Sequence, residues 1–193
     1  IDYKDGAQLN GTETPETEIL TGSGRAYGLE VLLKKKSGRL TGWLSYTVAR
    51  TERMINGVNN NEWYPFRQDR THDISVVAMY QYSDTWSFSA NFVYYTGNAV
   101  TFPSGKYEVA GNVVFYYTER NGYRMPAYNR LDLGATWKIG ERSELNFSLY
   151  NAYGQQNAYT IDFRTSESDP TKTEAVQTSL FRWIPSVTWN FKF

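Results

Sequence analysis

Aromatic and basic side chains collect in two segments that lack a regular apolar pattern, at 54–70 and 96–127. Aromatic rings stack on flat ligands such as sugars or porphyrins, and the guanidinium fork of arginine grips carboxylates and phosphates. The combination predicts ligand binding on long loops. The candidate binding residues are Trp63, Tyr64, Arg67, Tyr107, Tyr116, Tyr117, Arg120, Tyr123 and Arg124. The alternative is that these side chains order the long loops against one another.

No catalytic constellation is predicted. His72 lies near Asp73 and Ser75, but alternation on a strand turns adjacent side chains to opposite faces, which a triad does not tolerate. A charged strand entry is the better interpretation of this segment. The single histidine and the lack of cysteine disfavour a structural zinc site, and no loop has the spacing of a calcium hand. We therefore predict no enzyme activity, no metal site and no cofactor.

Composition limits the class of protein. The chain has 193 residues, a formal net charge of +0 and a mean hydropathy of −0.58, and 17% of its residues are aromatic. No run approaches the roughly 18 apolar residues of a membrane-spanning helix, whereas a spanning strand needs only about 10 alternating residues. Balanced charge argues against a partner that is a nucleic acid.

Period-two alternation of apolar and polar residues predicts an all-β chain. Seven strands are expected at 27–35, 39–53, 71–82, 86–95, 131–139, 145–150 and 180–193. In the last of these, Phe181, Trp183, Val187, Trp189 and Phe191 share one face. Pro185 marks an edge, a bulge or a strand end, because proline has no N–H to donate.

The connections alternate in length. Those near 35–38, 83–85 and 140–143 are short, and those near 54–70, 96–127 and 154–179 are long. In an up-and-down meander, alternate connections lie at opposite ends of the sheet. Short turns on one rim and long loops on the other are typical of outer-membrane β-barrels, with the long loops outside the cell.

Aromatic residues support this interpretation because they fall near both ends of the apolar face, as expected for two membrane interfaces. Those near the short turns are Tyr82, Trp86, Trp137, Phe191 and Phe193, and those near the long loops are Tyr27, Tyr94, Phe181 and Trp183. Trp43 is the exception, because alternation turns it inward. Polar inward positions are expected to line a wet lumen or to contact a plug, namely Glu30, Asp132, Lys138, Arg182 and Lys192.

Several short runs resemble those of TonB-dependent outer-membrane receptors. They are GRAYGLE at 24–30, GRLTGWLSYT at 38–47, DRTHD at 69–73, YYTGN at 94–98, RMPAYNRLD at 124–132, YNAY at 150–153 and PSVT at 185–188. The likeness is to the C-terminal barrel segment of the branch with an N-terminal carboxypeptidase-regulatory-like domain. It implies energy-coupled import of a scarce nutrient, such as a glycan, siderophore or peptide.

The resemblance also implies the surroundings of the chain. Residues 1–193 are expected to be the C-terminal part of a transmembrane barrel, an open arc of about seven to eight strands out of about 22. The implied partners are outer-membrane lipid, the missing N-terminal strands and plug, and the inner-membrane coupling complex acting only through the absent plug. The last strand resembles a signal read by the barrel-assembly machinery, carried by Trp189, Phe191 and Phe193.

Two other functions stay open at this stage. One is a self-contained small outer-membrane barrel that acts as an adhesin or anchor. The other is a soluble β-barrel that binds an apolar ligand, which predicts aliphatic residues inside and polar residues outside. The transported substrate does not follow from the sequence.

Overall fold

The computed structural model describes residues 2–3, 19–117, 119–169 and 172–193. Apart from a 3-10 turn at Asn59–Asn61, the regular elements in these ranges are β-strands. In chain order they are β1 (Asp2–Tyr3), β2 (Ile19–Leu20), β3 (Gly22–Lys35), β4 (Leu40–Ile55), β5 (Tyr64–Pro65), β6 (His72–Gln81), β7 (Trp86–Tyr95), β8 (Ala99–Val100), β9 (Gly105–Val109), β10 (Asn112–Tyr116), β11 (Tyr123–Arg124), β12 (Tyr128–Lys138), β13 (Ser143–Tyr150), β14 (Thr160–Thr165), β15 (Thr173–Thr178) and β16 (Ile184–Phe191). No helix in the described ranges is long and apolar enough to cross a membrane.

The chain divides into two compact units. We call Ile1–Gly28, Ala49–Arg70 and Asn98–Met125 the loop unit, and Leu29–Val48, Thr71–Gly97 and Pro126–Phe193 the sheet unit. Strands β3 and β4 contribute residues to both units.

The main sheet has the strand order β16-β13-β12-β7-β6-β4-β3, with β5 paired to β4 beside this path. The paired strands from β4 to β16 are antiparallel, and the strands of this path are neighbours in the order in which they occur along the chain. The sheet does not close, because β3 and β16 are its two edges. The prediction of an open, all-β antiparallel meander is therefore confirmed.

Each of the seven predicted strands is present, with shifts of a few residues at most ends. Strand β7 has the predicted bounds, whereas β3 begins at Gly22, five residues before its predicted start at Tyr27. The sequence also predicts a loop at 4–24, because this segment is rich in Thr, Glu and Gly and has no apolar period, and residues 4–18 of it lie outside the described ranges. The early start of β3 was missed because Gly22, Ser23 and Gly24 have a turn-like composition that favours a loop.

The register gathers the alternating residues into two continuous faces. Residues that pair across neighbouring strands lie on the same face of a sheet. The pairings place the following apolar residues on one face: Leu40, Leu44, Val76, Tyr80, Phe88, Phe92, Leu131, Leu133, Phe147, Leu149, Val187 and Trp189. The opposite face carries Ser45, Ser75, Ser89, Asn91, Asp132, Thr136, Asn146, Ser148, Ser186 and Thr188. Trp43 pairs with Val77 on this second face, so it lies on the polar side of the sheet, as alternation predicts.

The long connections contain regular structure of their own. In the connection at 96–127, where the sequence allows a short hairpin arm at 112–118, β9 pairs with β10 around Ala110 and Gly111. Both turn residues have positive φ, +49 and +80 respectively, as a tight two-residue hairpin turn requires. The β14–β15 hairpin was assigned to a loop at 154–179. Its strands have six residues each, too short for a clear period.

Buried apolar side chains are few. Among the described residues they are Ile55, Val58, Tyr64 and Ala99, and all four belong to the loop unit. Ile55, Val58 and Tyr64 form one cluster against which Leu20 packs. The apolar face of the sheet unit is accessible instead, with Leu133 43% and Val187 64% exposed.

Candidate functional site

Five polar-face residues of the sheet unit form what we call the tyrosine–arginine cluster: Tyr95, Tyr128, Arg130, Asp132 and Tyr150. Register places Tyr128 directly opposite Tyr95 across β12 and β7. Their rings stack with centroids 4.7 Å apart and an interplanar angle of 2°. Positions 128, 130 and 132 share a face of β12 because strand side chains alternate.

Arg130 is the centre of this cluster. Its Nη1 donates hydrogen bonds of 3.0 Å to the hydroxyl oxygens of both Tyr128 and Tyr150. The guanidinium carbon lies 4.4 Å from the centroid of the Tyr150 ring, a cation–π contact. The planar guanidinium thus fixes two tyrosines at once, which a lysine ammonium would not reproduce.

Asp132 neutralises the arginine. Its Oδ2 accepts from Nε of Arg130 at 3.0 Å and from Nδ2 of Asn91 at 3.4 Å. Its other oxygen accepts from the backbone N–H of Asn151 at 3.0 Å. The cluster therefore combines one cation with one carboxylate, and its side chains present aromatic rings rather than net charge.

Asn151 joins the end of β13 to the chain that leads into β16. Its side-chain amide donates to the carbonyl oxygens of Gln155, at 2.9 Å, and of Arg182. Its Oδ1 accepts from the backbone N–H of Gln155 at 3.1 Å. The backbone has φ +52, the left-handed region that asparagine tolerates better than most residues. Asn151 is 1% exposed, so it acts as a buried clamp.

Tyr153 lies in the turn after β13 and extends this polar network. Its hydroxyl donates to Oδ1 of Asn129 at 2.6 Å. Partial burial raises the pKa of Tyr153, and the charge of Asp132 raises it further. The hydroxyl therefore stays protonated as a donor at neutral pH.

A cavity of about 310 Å³ opens beside the cluster. It is lined by Tyr95, Tyr128, Tyr150, Asn151, Asn157, Ala158, Tyr159, Leu180 and Phe181. Its volume lies at the lower end of the range of small-molecule sites, and its lining is mostly aromatic. The arrangement provides ring faces and a few fixed polar groups, which suit contact with a flat ligand.

The sequence indicated only one member of this cluster as inward and polar, Asp132. Tyr128 and Arg130 fell before the predicted start of their strand at 131. If the predicted strand had been extended back by three residues, to Tyr128, the alternation would have placed 128, 130 and 132 on one face. The approach of Tyr95 and Tyr150 depends on register across three strands, which single-strand patterns do not contain.

The nine sequence-predicted binding residues all belong to the loop unit. Three of them have structural contacts there. Tyr64 is 3% exposed in the small core. The ring of Trp63 lies under the guanidinium of Arg25, 4.2 Å from its carbon. Arg124 pairs with Asp69.

Two polar bridges tie segments of the loop unit together. The side chain of Asn59 exchanges two hydrogen bonds of 2.8 Å with the backbone of Arg120. The side chain of Asn121 donates to the carbonyl oxygen of Pro65 at 3.0 Å. Around Arg120 the loop segments therefore order one another, which was the alternative to ligand binding in the sequence analysis.

The remaining predicted binding residues are exposed. Tyr107 and Tyr116 face each other across the β9–β10 hairpin with centroids 6.3 Å apart, and are 53% and 45% exposed. Tyr123 stacks on Phe102 at 5.7 Å. Tyr117 is 59% exposed, and Arg67 is exposed. A ligand role for these residues stays a prediction.

Glu52 is a buried carboxylate of the loop unit, 3% exposed. It accepts from Nε of Arg25 at 2.7 Å and from Nε of Arg50 at 2.8 Å. Burial by itself raises the pKa of Glu52, but the hydrogen bonds and charges of Arg25 and Arg50 outweigh it and hold the pKa below its usual value. The carboxylate is therefore ionised at neutral pH and fixes both arginines.

Asp69 is a second buried carboxylate, 1% exposed. It pairs with Arg124, accepts the backbone N–H of Thr51 at 2.5 Å, and its own carbonyl accepts from Arg124 at 2.9 Å. The ion pair between Asp69 and Arg124 thus joins the segment 49–70 to the segment 98–125.

The acidic side chains and His72 are the groups whose chemistry the sequence analysis considered. Within the described ranges, no group of three or more histidine, aspartate and glutamate side chains is placed to hold a metal ion. Nδ1 of His72 lies 2.9 Å from the hydroxyl of Tyr46, and the two rings stack at 6.1 Å. His72 is thus engaged by a tyrosine at a strand start, consistent with a structural contact.

Aromatic residues cluster where the short turns meet the apolar face. Trp86 and Trp137 stack at 5.6 Å with an interplanar angle of 4°, and Phe88 lies 6.1 Å from Trp86. At the β16 edge, Phe191 contacts Trp189 at 6.0 Å and Phe193 at 5.3 Å. The predicted aromatic group near this rim is therefore present as two side-chain clusters.

Comparison of the chain with protein-family models, with curated proteins and with solved structures finds no match.

Proposed function

We propose that this chain is a membrane-embedded, C-terminal segment of a TonB-dependent outer-membrane transporter that imports a scarce nutrient. The observation that carries the proposal is the continuous apolar face of the main sheet. It extends over the paired strands from β4 to β16 and is accessible in each, for example at Leu40 (49%), Phe88 (44%) and Trp189 (67%). Soluble monomers rarely expose contiguous apolar patches of this kind, and lipid is a natural cover for one.

Strand geometry supports a lipid-facing assignment. Strands β6, β7 and β12 have 10, 10 and 11 residues, and a tilted spanning strand needs about 9–11. The opposite face is polar and internally hydrogen-bonded, for example between Thr136 and Asn146 at 2.7 Å. Apolar-out and polar-in alternation is the pattern of transmembrane barrels with a wet lumen.

The open edges support a sheet that continues into further strands. All fourteen residues of β3 and all eight of β16 are exposed. An unpaired edge in a membrane leaves backbone N–H and C=O groups without partners, which hydrocarbon does not tolerate. We therefore propose that other strands of a larger barrel pair with β3 and β16. A plug in its lumen would connect transport to the inner-membrane coupling complex.

Ligand contact is assigned in this proposal to two places. One is the exposed aromatic group of the loop unit, on connections that would lie outside the cell. The other is the tyrosine–arginine cluster with its cavity, on the face that would line the lumen. Both offer ring faces suited to stacking on a flat part of a nutrient.

A topology experiment tests the proposal in cells. A protease site is inserted at the β9–β10 turn, between Ala110 and Gly111, and in a second variant at the short turn beside Asp84. Protease added to intact cells should cut the first variant and spare the second, because the long connections face outward. Cutting of the second variant alone would reverse the topology, and recovery of the uncut chain in the soluble fraction would refute membrane residence.

The alternatives give different results in related measurements. A soluble β-barrel would remain in solution without detergent after cell lysis. A self-contained adhesin or anchor would form a closed barrel, whose first and last strands resist amide exchange. The open sheet favours the transporter, since β3 and β16 are its edges.

A further inference from the structure

An apolar groove lies on the sheet unit next to the first short turn. It has a volume of about 410 Å³, and its apolar walls are Leu33, Leu40, Leu44, Val76 and Ala78. Space at its floor is provided by Gly42, which has φ +151 and no side chain. A Cβ at this position would collide with the carbonyl oxygen of Val77, so the backbone geometry reserves the site for glycine.

The groove ends at a concentrated positive charge. Lys34 and Lys35 both line it, and Lys36 and Arg39 follow in the turn between β3 and β4. Among the described residues, none of these four cations forms an ion pair with a carboxylate, whereas Arg25, Arg124 and Arg130 each do. We call these four residues the basic turn.

The other two short turns lack this charge. The turn before β7 carries Asp84 and no cation, and the turn before β13 carries Glu141 beside Arg142. The groove adjoins the basic turn directly, through Lys34 and Lys35. Charge and groove therefore coincide at one place on the rim.

We propose that this groove and the basic turn bind an anionic phospholipid, with an acyl chain along Leu33, Leu40 and Val76 and the phosphate at Lys35 and Lys36. The inference rests on the proposed function, since it takes the apolar face to be lipid-facing. Two features favour this occupant. The groove is continuous with the apolar face, and each lysine or arginine near a membrane surface attracts anionic lipid.

The position of Lys35 fits a headgroup contact. By alternation it shares the face of Leu33, at the end of β3 where that face meets the turn. A long aliphatic stem can follow apolar surface while the ammonium reaches the polar boundary of the bilayer. Lys35 Nζ lies about 4.0 Å from the point where a Cβ on Gly38 would stand, so the side chain lies over the turn.

The test measures which lipids the chain retains. The whole barrel to which the proposed function assigns this chain is reconstituted into vesicles of equal parts phosphatidylcholine and phosphatidylglycerol. It is then floated, extracted in mild detergent, and analysed for bound lipid by mass spectrometry. We expect phosphatidylglycerol to be retained in preference to phosphatidylcholine. The double variant Lys35→Gln/Lys36→Gln should lower the retained phosphatidylglycerol about tenfold, because two cations near the phosphate are lost.

Two further variants separate charge from shape. Ala78→Phe fills the groove and should lower retention of both lipids while the charge is unchanged. Arg142→Gln removes a cation from another short turn and should leave retention as it was. Equal retention of both lipids by the unaltered chain, or unchanged phosphatidylglycerol in the double lysine variant, would overturn the site.

The outcomes also separate this site from the proposed function. A chain that floats with the vesicles but shows no preference for phosphatidylglycerol refutes only the lipid site. A chain that does not float at all refutes the membrane assignment and the site with it. If Ala78→Phe alters self-association in sedimentation but not lipid content, a second copy occupies the groove and the lipid assignment is wrong.

Discussion

In the loop unit, Ile55 and Tyr64 are 1% and 3% exposed, whereas in the sheet unit Phe147 and Val187 are 37% and 64% exposed. The loop unit also buries two carboxylates, Glu52 and Asp69, and provides arginine partners for both. It has the apolar core and paired charges of a small water-soluble fold. The sheet unit has its large apolar side chains on an accessible face, so its stability in water lacks the usual contribution from burial.

Under the proposed function, one chain is adapted to two media. Apolar area stabilises a fold only when it leaves water, whether by packing inside the protein or by contact with hydrocarbon. The loop unit uses the first route. Under the proposed function, the sheet unit uses the second, and substitutions in the two units should then have different consequences.

The largest effect is expected from the aromatic edge of the sheet unit. Changing Trp189, Phe191 and Phe193 to serine removes three rings from β16 and its end, and we expect membrane assembly to be blocked. Heat-modifiable migration in gels reports assembly. Thr188 and Asn190 alternate with these rings on the opposite face, so changing both to serine is the matched control and should assemble normally. If the triple variant assembles normally, these three rings are not required for assembly.

A second change addresses the loop unit. Arg124→Ala leaves the buried carboxylate of Asp69 without its cation, which should destabilise the loop unit by about 3 kcal/mol. Membrane assembly of the sheet should be unaffected. Hydrogen exchange of residues 49–70, compared with 86–95, measures both effects in one sample. Equal loss of protection in the two segments would show that the units are not independent.

Two adjacent positions on β13 sharpen the comparison within the sheet itself. Phe147 belongs to the apolar face, and Ser148 to the polar face, where its hydroxyl lies 2.9 Å from that of Ser186. A lysine at the lipid face costs about 2 kcal/mol, and less in a wet lumen. Phe147→Lys should therefore lower the folded fraction in vesicles far more than Ser148→Lys. Equal losses would mean that the two faces meet the same medium.

The smallest effect is a response of the loop unit to acid. Because Arg25 and Arg50 lower the pKa of Glu52 in the folded state, its ionised form stabilises the fold above the ordinary value of 4.5. That contribution is lost as the pH falls through the lowered pKa. Fluorescence of Trp63, which lies under Arg25, should report loosening in acid. Glu52→Gln should show a weaker acid response, and an identical response would assign the effect to another group.

Alternation was sufficient to locate the main sheet, because apolar and polar residues keep period two along β7, β12 and β13. It was insufficient for contacts that depend on register. The stack of Tyr95 on Tyr128 requires β7 and β12 to be aligned, and no local pattern specifies that alignment. The burial of Tyr64 was also missed, since an aromatic residue in a polar segment has no period to mark it as core.

The fully buried Asn151 has a consequence for how the chain can vary. Its side-chain amide donates to the carbonyl oxygens of both Gln155 and Arg182. Both ends of the segment between these two residues are therefore held at the same point. We therefore expect the β14–β15 hairpin within that segment to tolerate changes in length and sequence while the alignment of β13 with β16 is kept.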